Sequence, residues 1–366
     1  MYIVCTTWAA AKTHRLLDES GYQQLYREKD PISLNQETSM TTINAHSSSQ
    51  RQRLPQINGN GLFVTDGGLE TELVFHDGFD LPSFAAFPLL EDPGHRARLR
   101  RYYDGYLDIA RELEAGLIVE TPTWRANPDW GSQLGYSPEQ LDAANRSAVA
   151  LAEEVRTAAA ADGITVVVSG CVGPRGDGYD PGDAMTPEEA QRYHAVQIGT
   201  FANTTADQVT AITMTNAEEA IGVVRAAAAA GIPAAISFTV ETDGRLPTGQ
   251  PLREAIEQVD AATDGSAAYF MVNCAHPTHF AKALEQHGAW HRRLVGLRAN
   301  ASARSHAELD EATEFDEGDP TDLAARHAAL RDRLPAVTVL GGCCGTDARH
   351  VAAICSAWRA NSAPAQ

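Results

Sequence analysis

Short apolar runs recur along the chain from about residue 61 onward, and each ends in or beside a small or polar residue. They are rich in valine and isoleucine and run on without alternation, as expected for parallel strands buried on both faces. The pattern therefore predicts eight buried parallel strands, over residues 62–65, 117–121, 164–169, 209–213, 233–239, 269–273, 294–297 and 337–340.

Helix signals separate these runs. Ser137 and Thr186 each precede a proline and a glutamate, which is typical of a capping residue followed by a helix-starting proline. Asn216 can cap an alanine-rich helix that stops at Gly231, and Asp347 can cap the last helix. Because strand and helix alternate eight times, we predict an α/β fold of the (β/α)8 TIM-barrel type. A doubly wound open sheet is the alternative.

The first 58 residues differ from the rest of the chain. The stretch from residue 39 to residue 56 is polar, rich in serine, glutamine and arginine, and has no sustained hydrophobic period. We therefore predict an N-terminal extension over residues 1–58, disordered and without a catalytic role, followed by one domain over residues 59–366. Met40 is an alternative to Met1 as the translation start.

Composition narrows the possible partners. Lysine and arginine total 29 and aspartate and glutamate 48, so the formal net charge is −19. Such a chain lacks the basic face that nucleic acids and anionic membranes require. No apolar run reaches the roughly 18 residues of a membrane span, and the first residues lack the basic start of a signal peptide. We expect a cytoplasmic protein with small-molecule partners; its oligomeric state stays open.

Two residue types restrict the chemistry further. Lysines occur only at Lys12, Lys29 and Lys282, which argues against an enzyme built on a Schiff-base lysine. Six cysteines in 366 residues do not make a disulfide framework. In a reducing compartment they remain thiols or bind a metal.

The cysteines at two predicted strand ends carry the strongest chemical signal. Cys274 follows the sixth strand, and Cys343 and Cys344 follow the eighth, between pairs of small residues in Gly341-Gly342-Cys343-Cys344-Gly345-Thr346. In a TIM barrel the carboxyl ends of the strands form one active face, so these sulfurs can converge. Three thiolates suit Zn²⁺, and three protein ligands leave a position open for a substrate. The alternative is that these cysteines only fill the core.

Zinc bound by three thiolates is a weak Lewis acid but can hold a fourth, exogenous thiolate. Binding deprotonates the substrate thiol, and the thiolate is the nucleophile. The site therefore predicts thiol alkylation. Cys171, His276 and His279 are weaker candidates for ligands, and packing is the simpler role for each.

Further motifs at the strand ends carry a family resemblance. They are Asp66-Gly67-Gly68-Leu69-Glu70-Thr71, Ser169-Gly170 with Gly173-Pro174, Ile236-Ser237-Phe238, Asn273-Cys274 and the cysteine segment after strand 8. Together they resemble the homocysteine S-methyltransferase family over about residues 61–360. The resemblance implies a zinc-bearing (β/α)8 barrel with Cys274, Cys343 and Cys344 as zinc ligands. It also implies that Asp66 and Gly67 lie near the amino-acid end of the thiol substrate.

Two departures from the family concern the substrate end. Ile212 stands where the family has a glutamate that helps to hold the substrate ammonium, and Thr121-Pro122-Thr123-Trp124 replaces a Thr-Asn-Thr-Tyr segment. Glu120 and Glu241, also near strand ends, are candidates to replace the lost carboxylate. The resemblance implies methyl transfer to homocysteine, giving methionine. The alternatives are transfer to another thiol and a non-catalytic zinc-binding barrel.

The methyl donor is less defined. No Gly-x-Gly-x-x-Gly segment follows a strand, so a nucleotide-binding unit of that kind is not expected. A small sulfonium such as S-methylmethionine is favoured, with betaine second, and Trp124 and Trp130 are candidates for an aromatic wall beside a cationic donor. The acidic segment 299–320 is either a lid or a solvated loop.

Overall fold

Eight parallel strands form a closed barrel in the computed structural model, which describes residues 54–59, 61–182, 184–285, 288–311 and 315–360. Each strand pairs with the next along the chain, and the last pairs with the first. The TIM-barrel prediction is therefore confirmed. The strands are β1 Phe63–Val64, β2 Gly116–Glu120, β3 Val166–Val172, β4 Gln208–Met214, β5 Ala234–Phe238, β6 Tyr269–Asn273, β7 Leu294–Ala299 and β8 Val339–Gly342.

Helices connect the strands and surround the barrel. They are α1 Pro55–Asn58, α2 Leu69–Phe75, α3 Pro93–Glu112, α4 Pro128–Gln133, α5 Pro138–Ala160, α6 Pro187–Ala202, α7 Ala217–Ala230, α8 Leu252–Ala262, α9 Pro277–Phe280, α10 His306–Asp310, α11 Pro320–Leu330 and α12 Ala348–Ala360. Short 3-10 turns lie between several of them. No helix within the described ranges is long and apolar enough to cross a bilayer.

The predicted helix starts are confirmed by their capping hydrogen bonds. Ser137 and Thr186 each form a capping box at the start of α5 and α6. Asn216 accepts a hydrogen bond from the backbone of Glu219 at the start of α7, and Gly231 ends that helix with φ 76°. A left-handed residue at this position favours glycine. These local interactions fix where the helices begin and end.

Two large apolar clusters form the core, and a third, small one consists of Met185, Ala190 and Tyr193. The larger one fills the layer between the outer faces of the strands and the helices. The second one lies inside the barrel, where Ile118, Tyr269 and Met271 pack together with Leu54. Because each strand is covered on both faces, almost every strand residue is buried, which explains the unbroken apolar runs in the sequence.

The end of the predicted extension belongs to the barrel. The Gln56 side chain donates to the Gln208 oxygen at 2.8 Å, and Thr338 donates to the Gln56 backbone carbonyl at 2.6 Å. Leu54 and Gln56 are fully buried. This polar segment of the predicted extension therefore contacts the barrel, where it satisfies polar groups; the domain boundary at residue 58 stays a prediction. Residues 1–53, including both candidate start methionines, lie outside the described residues.

The observed ends of β3 and β8 lie two or three residues beyond the predicted ends, and both ends lie close to the site. β3 continues to Val172, so Cys171 lies inside a strand instead of following it. β8 ends at Gly342, so Cys343 and Cys344 lie past the strand, as the sequence predicts. Both segments reach the same mouth of the barrel.

Candidate metal and thiol site

Three cysteine sulfurs converge at the carboxyl end of the barrel. The Sγ atoms of Cys274, Cys343 and Cys344 all lie within 4.8 Å of one another. Zinc–sulfur bonds are about 2.3 Å long in tetrahedral geometry, so three sulfurs this close together can reach a single zinc ion. In the part of the chain that the structure describes, no other cluster of three metal-binding side chains comes this close. The three cysteines could therefore hold a metal ion.

Backbone hydrogen bonds from neighbouring strands hold two of these cysteines. The Cys274 amide donates to the carbonyl of Arg298 at 3.1 Å, and the Cys343 amide donates to the carbonyl of Ala299 at 2.9 Å. The sulfurs of Cys274 and Cys343 are close enough to pair as a disulfide, with Cα atoms 5.4 Å apart. The same two sulfurs cannot also bind a metal in that state, because metal ligation requires thiolates. Metal binding therefore requires reduced protein.

Left-handed backbone conformations occur at the centre of the site. Cys274 has φ 50° and Thr213, which ends the regular part of β4, has φ 67°. A β-branched residue rarely adopts a positive φ, so the conformation of Thr213 costs free energy that the surroundings must supply. The left-handed turn at Cys274 lets a residue that directly follows a strand present its sulfur to the mouth.

The Asn273 amide connects three strands to the sulfurs. Its Oδ1 accepts from Ser237 Oγ at 2.6 Å and from the Thr213 backbone amide at 3.0 Å. Its Nδ2 donates to Thr213 Oγ1 at 2.8 Å and lies 3.9 Å from Cys343 Sγ. Thr213 Oγ1 in turn lies 3.8 Å from Cys274 Sγ. This network stabilises the left-handed Thr213 and orients two of the three sulfurs, which explains why Asn273 and Ser237 occur in the motifs.

We expect Asn273→Ala to lower zinc affinity roughly 10- to 100-fold, the usual effect of losing a group that orients metal ligands. The change also leaves the Thr213 amide and the Ser237 hydroxyl unpaired, at a cost of about 1–3 kcal/mol of unfolding free energy. Competitive chelator titration and urea denaturation measure the two effects.

Asn145→Ala is the matched control for Asn273. This buried asparagine on α5 bonds to Ala126, Leu141 and Gln197. It should lose stability of the same order while the folded protein keeps its zinc affinity. Equal zinc affinity in both variants would contradict the orienting role of Asn273.

Glycines allow the motif after β1 and the motif after β8 to pack backbone against backbone. A Cβ on Gly68 would lie 2.6 Å from the Cys343 carbonyl oxygen, and one on Gly67 would lie 2.7 Å from the Thr346 carbonyl oxygen. The Gly68 amide donates to that Thr346 carbonyl at 2.9 Å. The Asp-Gly-Gly segment therefore supports the cysteine loop directly.

A cavity opens beside the sulfurs. It encloses about 650 Å³ including its open mouth. The three cysteines form one part of its lining, and Asp66, Glu70, Glu120 and Arg298 form another, the charged end. Its lining includes Asp66, Gly67, Glu70, Phe84, Glu120, Pro122, Trp124, Cys171, Tyr179, Ile212, Cys274, Arg298, Cys343 and Cys344. The predicted substrate residues Asp66 and Gly67 thus lie in the same cavity as the predicted zinc ligands.

A buried ion pair lies at the charged end. Arg298 Nη2 donates to Asp66 Oδ1 at 2.7 Å, and Arg298 Nε donates to the Gly342 carbonyl at 3.1 Å. Asp66 also accepts from Thr65 Oγ1 at 3.0 Å and, through Oδ2, from the Tyr102 hydroxyl at 3.2 Å. Burial alone would lower the pKa of Arg298, but the charge of Asp66 raises it above its usual value. Arg298 therefore stays charged inside the barrel.

Two glutamates at this end hold their protons unusually tightly. Burial raises the pKa of Glu120 to about 7, against the opposing charge of Arg298. Burial also raises the pKa of Glu70 to about 7.

Of the two glutamates that the sequence offers as replacements for the family carboxylate, Glu120 lines the cavity. Glu241 instead contacts His306, with Oε1 3.2 Å from Nδ1. Ile212 also lines the cavity.

The other sequence candidates have structural partners. His276 accepts a hydrogen bond from the Thr278 amide at the start of α9, and His279 Nε2 lies 2.9 Å from the Ala303 carbonyl.

Trp124 lines the cavity, whereas Trp130 packs against the Arg125 guanidinium, whose carbon lies 3.8 Å from the ring centroid. The Arg125 guanidinium also lies 4.0 Å from the centroid of the Trp124 ring.

The acidic segment is anchored by several contacts. Ser302 donates to Asp316 Oδ2 at 2.7 Å, the Phe315 ring stacks on Phe75 with centroids 4.0 Å apart, and Glu317 pairs with Arg349 at 2.8 Å. Residues 312–314 lie outside the described residues. A lid function for this segment stays a prediction.

Two residues of the site were missed in the sequence. The Tyr179 hydroxyl lies 3.7 Å from Cys344 Sγ, and its ring lies over His306 with centroids 3.9 Å apart. Tyr179 comes from the long loop after β3, which carries no signal for this placement. Arg298 could have been noticed as an isolated charge inside an apolar run, which is unusual for a buried strand.

Comparison with known proteins agrees with this geometry. The family model for homocysteine S-methyltransferase matches residues 63–358. Among solved structures, the homocysteine methyltransferase MmuM of Escherichia coli is similar in its oxidised form, with TM-score 0.66 and 23% identity over 82% of this chain and 97% of that one. Its metallated form has TM-score 0.63 and 23% identity over 84% of this chain and 99% of that one. A search of the curated proteins found no match.

The solved structures support the fold, and the family match covers most of the barrel, from β1 into α12. Within this match lie the Asp-Gly-Gly segment and all three converging cysteines. The chain is therefore a methyltransferase and belongs to the homocysteine S-methyltransferase family.

Proposed function

We propose that this protein transfers a methyl group from a small cationic donor, with S-methylmethionine favoured, to the thiol of homocysteine, giving methionine. In this proposal Cys274, Cys343 and Cys344 hold one zinc ion. The observation that carries the proposal is the convergence of three sulfurs in a cavity that is also lined by charged side chains. The metallated form of the E. coli relative supports a metal in this fold.

Zinc, when bound, would lower the pKa of a substrate thiol and keep it as a thiolate at neutral pH. The protein positions the reacting atoms. Asn273 and Thr213 orient the cysteine sulfurs, and the cavity walls place a thiol in front of them. The substrate sulfur then forms a bond to the donor methyl carbon while the bond from that carbon to the donor sulfur breaks. The electron pair leaves with the donor as a neutral thioether.

The cavity walls favour a cationic donor of moderate size. Phe84, Trp124 and Tyr179 contribute aromatic surface, and Ile212 and Pro122 add apolar surface. Aromatic faces attract sulfonium and quaternary ammonium groups, and apolar walls exclude water that would otherwise compete for the methyl group. Betaine is the second candidate on the same grounds.

A different thiol is the second candidate function. Ile212 lines the cavity where the resemblance implies a carboxylate for the substrate ammonium. A thiol without an amino group would avoid this loss. The family match favours an enzyme over a non-catalytic zinc-binding barrel.

The deciding experiment crosses donors with thiols on reduced protein with its zinc content measured. S-methylmethionine, betaine and S-adenosylmethionine are each combined with homocysteine, cysteine and 3-mercaptopropionate. We expect one methyl group to leave the donor for each homocysteine that is methylated, fastest for S-methylmethionine, which gives two methionines per homocysteine consumed. Absence of transfer from every donor to every thiol in zinc-loaded protein would refute the proposal.

A further inference from the structure

The charged end of the cavity contains one hydrogen-bond donor and one acceptor that have no partner in the protein. Arg298 Nη1 and Glu120 Oε2 are both buried and both unbonded. Each residue is only 5% exposed, and each lines the cavity. Buried polar atoms without partners are rare in folded proteins because they lose hydration without compensation. An unbonded donor and an unbonded acceptor in one cavity indicate a ligand that forms hydrogen bonds with both.

Asp66 cannot bind the ammonium of a ligand as readily as Glu120 can, because both of its carboxylate oxygens already accept hydrogen bonds. Arg298 and Thr65 occupy its Oδ1, and Tyr102 donates to its Oδ2. An arriving ammonium would have to displace one of these donors. The Ile212 side chain has no polar atom. Glu70 and Glu120 are the other two carboxylates of the lining, and of these two Glu120 has a buried oxygen without a partner.

The geometry keeps the two unpartnered atoms ready for a ligand. Arg298 Nη2 and Nε are held by Asp66 and by the Gly342 carbonyl, which fixes the plane of the guanidinium. Among the described residues, Asp66 is the partner within ion-pair distance of Arg298. Glu120 and Arg298 line the same cavity, and the charge of the guanidinium opposes the rise that burial causes in the pKa of the Glu120 carboxyl.

The position beside the sulfurs limits the length of the ligand. The Arg298 carbonyl accepts the Cys274 amide at 3.1 Å, and Arg298 pairs with Asn273 in the register of β6 and β7. The charged end therefore begins one residue away from the cysteine site. A thiol joined to an ammonium and a carboxylate by a short carbon chain fits both ends.

We propose that Arg298 and Glu120 form the head-group subsite of this enzyme, in which Arg298 Nη1 donates to the carboxylate of the thiol substrate and Glu120 Oε2 accepts from its ammonium. Asp66 is then a positioning residue that holds Arg298. This inference rests on the proposed thiol methyl transfer and assigns the residues that select an α-amino acid as its substrate.

The test uses three thiols that differ only in the head group. Homocysteine carries both charges, 4-mercaptobutyrate lacks the ammonium, and 3-aminopropane-1-thiol lacks the carboxylate. Calorimetry measures the dissociation constant of each thiol with reduced, zinc-loaded protein, so turnover is not required. The variants are Arg298→Gln, Arg298→Lys and Glu120→Gln.

Each variant should weaken the binding of those thiols that carry the group it no longer contacts, and should leave the binding of the other thiol nearly unchanged. Arg298→Gln should weaken homocysteine and 4-mercaptobutyrate by roughly 10- to 100-fold, the usual effect of losing a charged hydrogen bond, and leave 3-aminopropane-1-thiol nearly unchanged. Glu120→Gln should weaken homocysteine and 3-aminopropane-1-thiol by a similar factor and leave 4-mercaptobutyrate nearly unchanged. The ratio between thiols is internal to each variant, so a partly inactive preparation does not affect it.

Arg293→Gln is the control for losing a partly buried Arg–Asp pair. Arg293 bonds to Asp260 at 2.7 Å outside the cavity. It should leave all three thiol affinities in their original ratio. Should neither Arg298 variant fold, the unaltered protein decides, because the subsite requires homocysteine to bind at least tenfold tighter than 3-aminopropane-1-thiol.

The subsite and the proposed function fail in different ways. Equal weakening of all three thiols by Arg298→Gln, or none, would overturn the subsite while thiol methylation stands. Equal binding of homocysteine and both truncated thiols by the unaltered protein would do the same. Binding of no thiol by zinc-loaded protein would instead overturn the proposed function, and the subsite with it.

Discussion

Cys343→Ala is expected to lose bound zinc and methyl transfer together. Cys343 is one of three sulfurs within 4.8 Å of one another, and its removal leaves two. Two thiolates neither complete a tetrahedral zinc site nor leave a single defined position for a substrate thiol. We expect less than about a tenth of the original zinc to remain after dialysis against a weak chelator, since the loss of one ligand removes several kcal/mol of binding free energy.

Zinc is measured by elemental analysis on reduced protein, and transfer is measured with homocysteine and S-methylmethionine. Cys355→Ala is the matched control, because Cys355 is fully buried on α12 and belongs to the apolar core. This control should keep one zinc per chain even if its stability falls. A Cys343→Ala protein that keeps stoichiometric zinc and full turnover would contradict the assignment of the site.

Gly68→Ala is expected to damage the same site without touching a sulfur. The added Cβ would lie 2.6 Å from the Cys343 carbonyl oxygen and closer still to Thr71 Oγ1. Thr71 Oγ1 donates to the Gly68 carbonyl at 2.9 Å and accepts from the Gly345 amide at 3.2 Å, so neither neighbour can move alone. The loop that carries Cys343 must shift instead. We expect a loss of about 1–3 kcal/mol in unfolding free energy from overpacking.

The displaced loop should also lower zinc affinity by about tenfold or more, since ligand geometry within a few tenths of an ångström matters for a metal site. Chelator competition measures this change, and urea denaturation of the metal-free protein measures stability. Gly176→Ala is the matched control, because a Cβ there meets nothing within 4 Å. If Gly68→Ala and Gly176→Ala behave alike, the backbone contact between the two motifs does not support the metal loop.

The fold was predictable because its signals are local. Ser137 and Thr186 form their capping boxes with residues three positions later, and Gly231 ends its helix through its own backbone conformation. The apolar runs correspond to strands because strands covered on both faces need no polar residues. The strand ends were less predictable. β3 continues through Cys171 because neighbouring strands extend the pairing, and a single sequence does not contain that information.

The cysteine site was predictable for a different reason. The order of strands in a barrel brings their carboxyl ends together, so cysteines after two of these ends were expected to meet. The charged end was not predictable in the same way. Arg298 lies in an apolar run, and only the closed barrel shows that its side chain reaches Asp66, more than two hundred residues away in sequence.

The amino-acid sequence by itself determined the strand and helix order, the barrel, the family and the three sulfurs that would share one mouth. The family was identified by the resemblance of motifs, and the others follow from residue types at short spacing combined with a rule for barrels. Only the tertiary structure decided which polar atoms have partners: it pairs Asp66 with Arg298, leaves Glu120 Oε2 and Arg298 Nη1 unbonded, and brings Tyr179 to Cys344. The reason is physical, because hydrogen bonds act over about 3 Å and connect side chains whose separation along the chain carries no information about their distance in space.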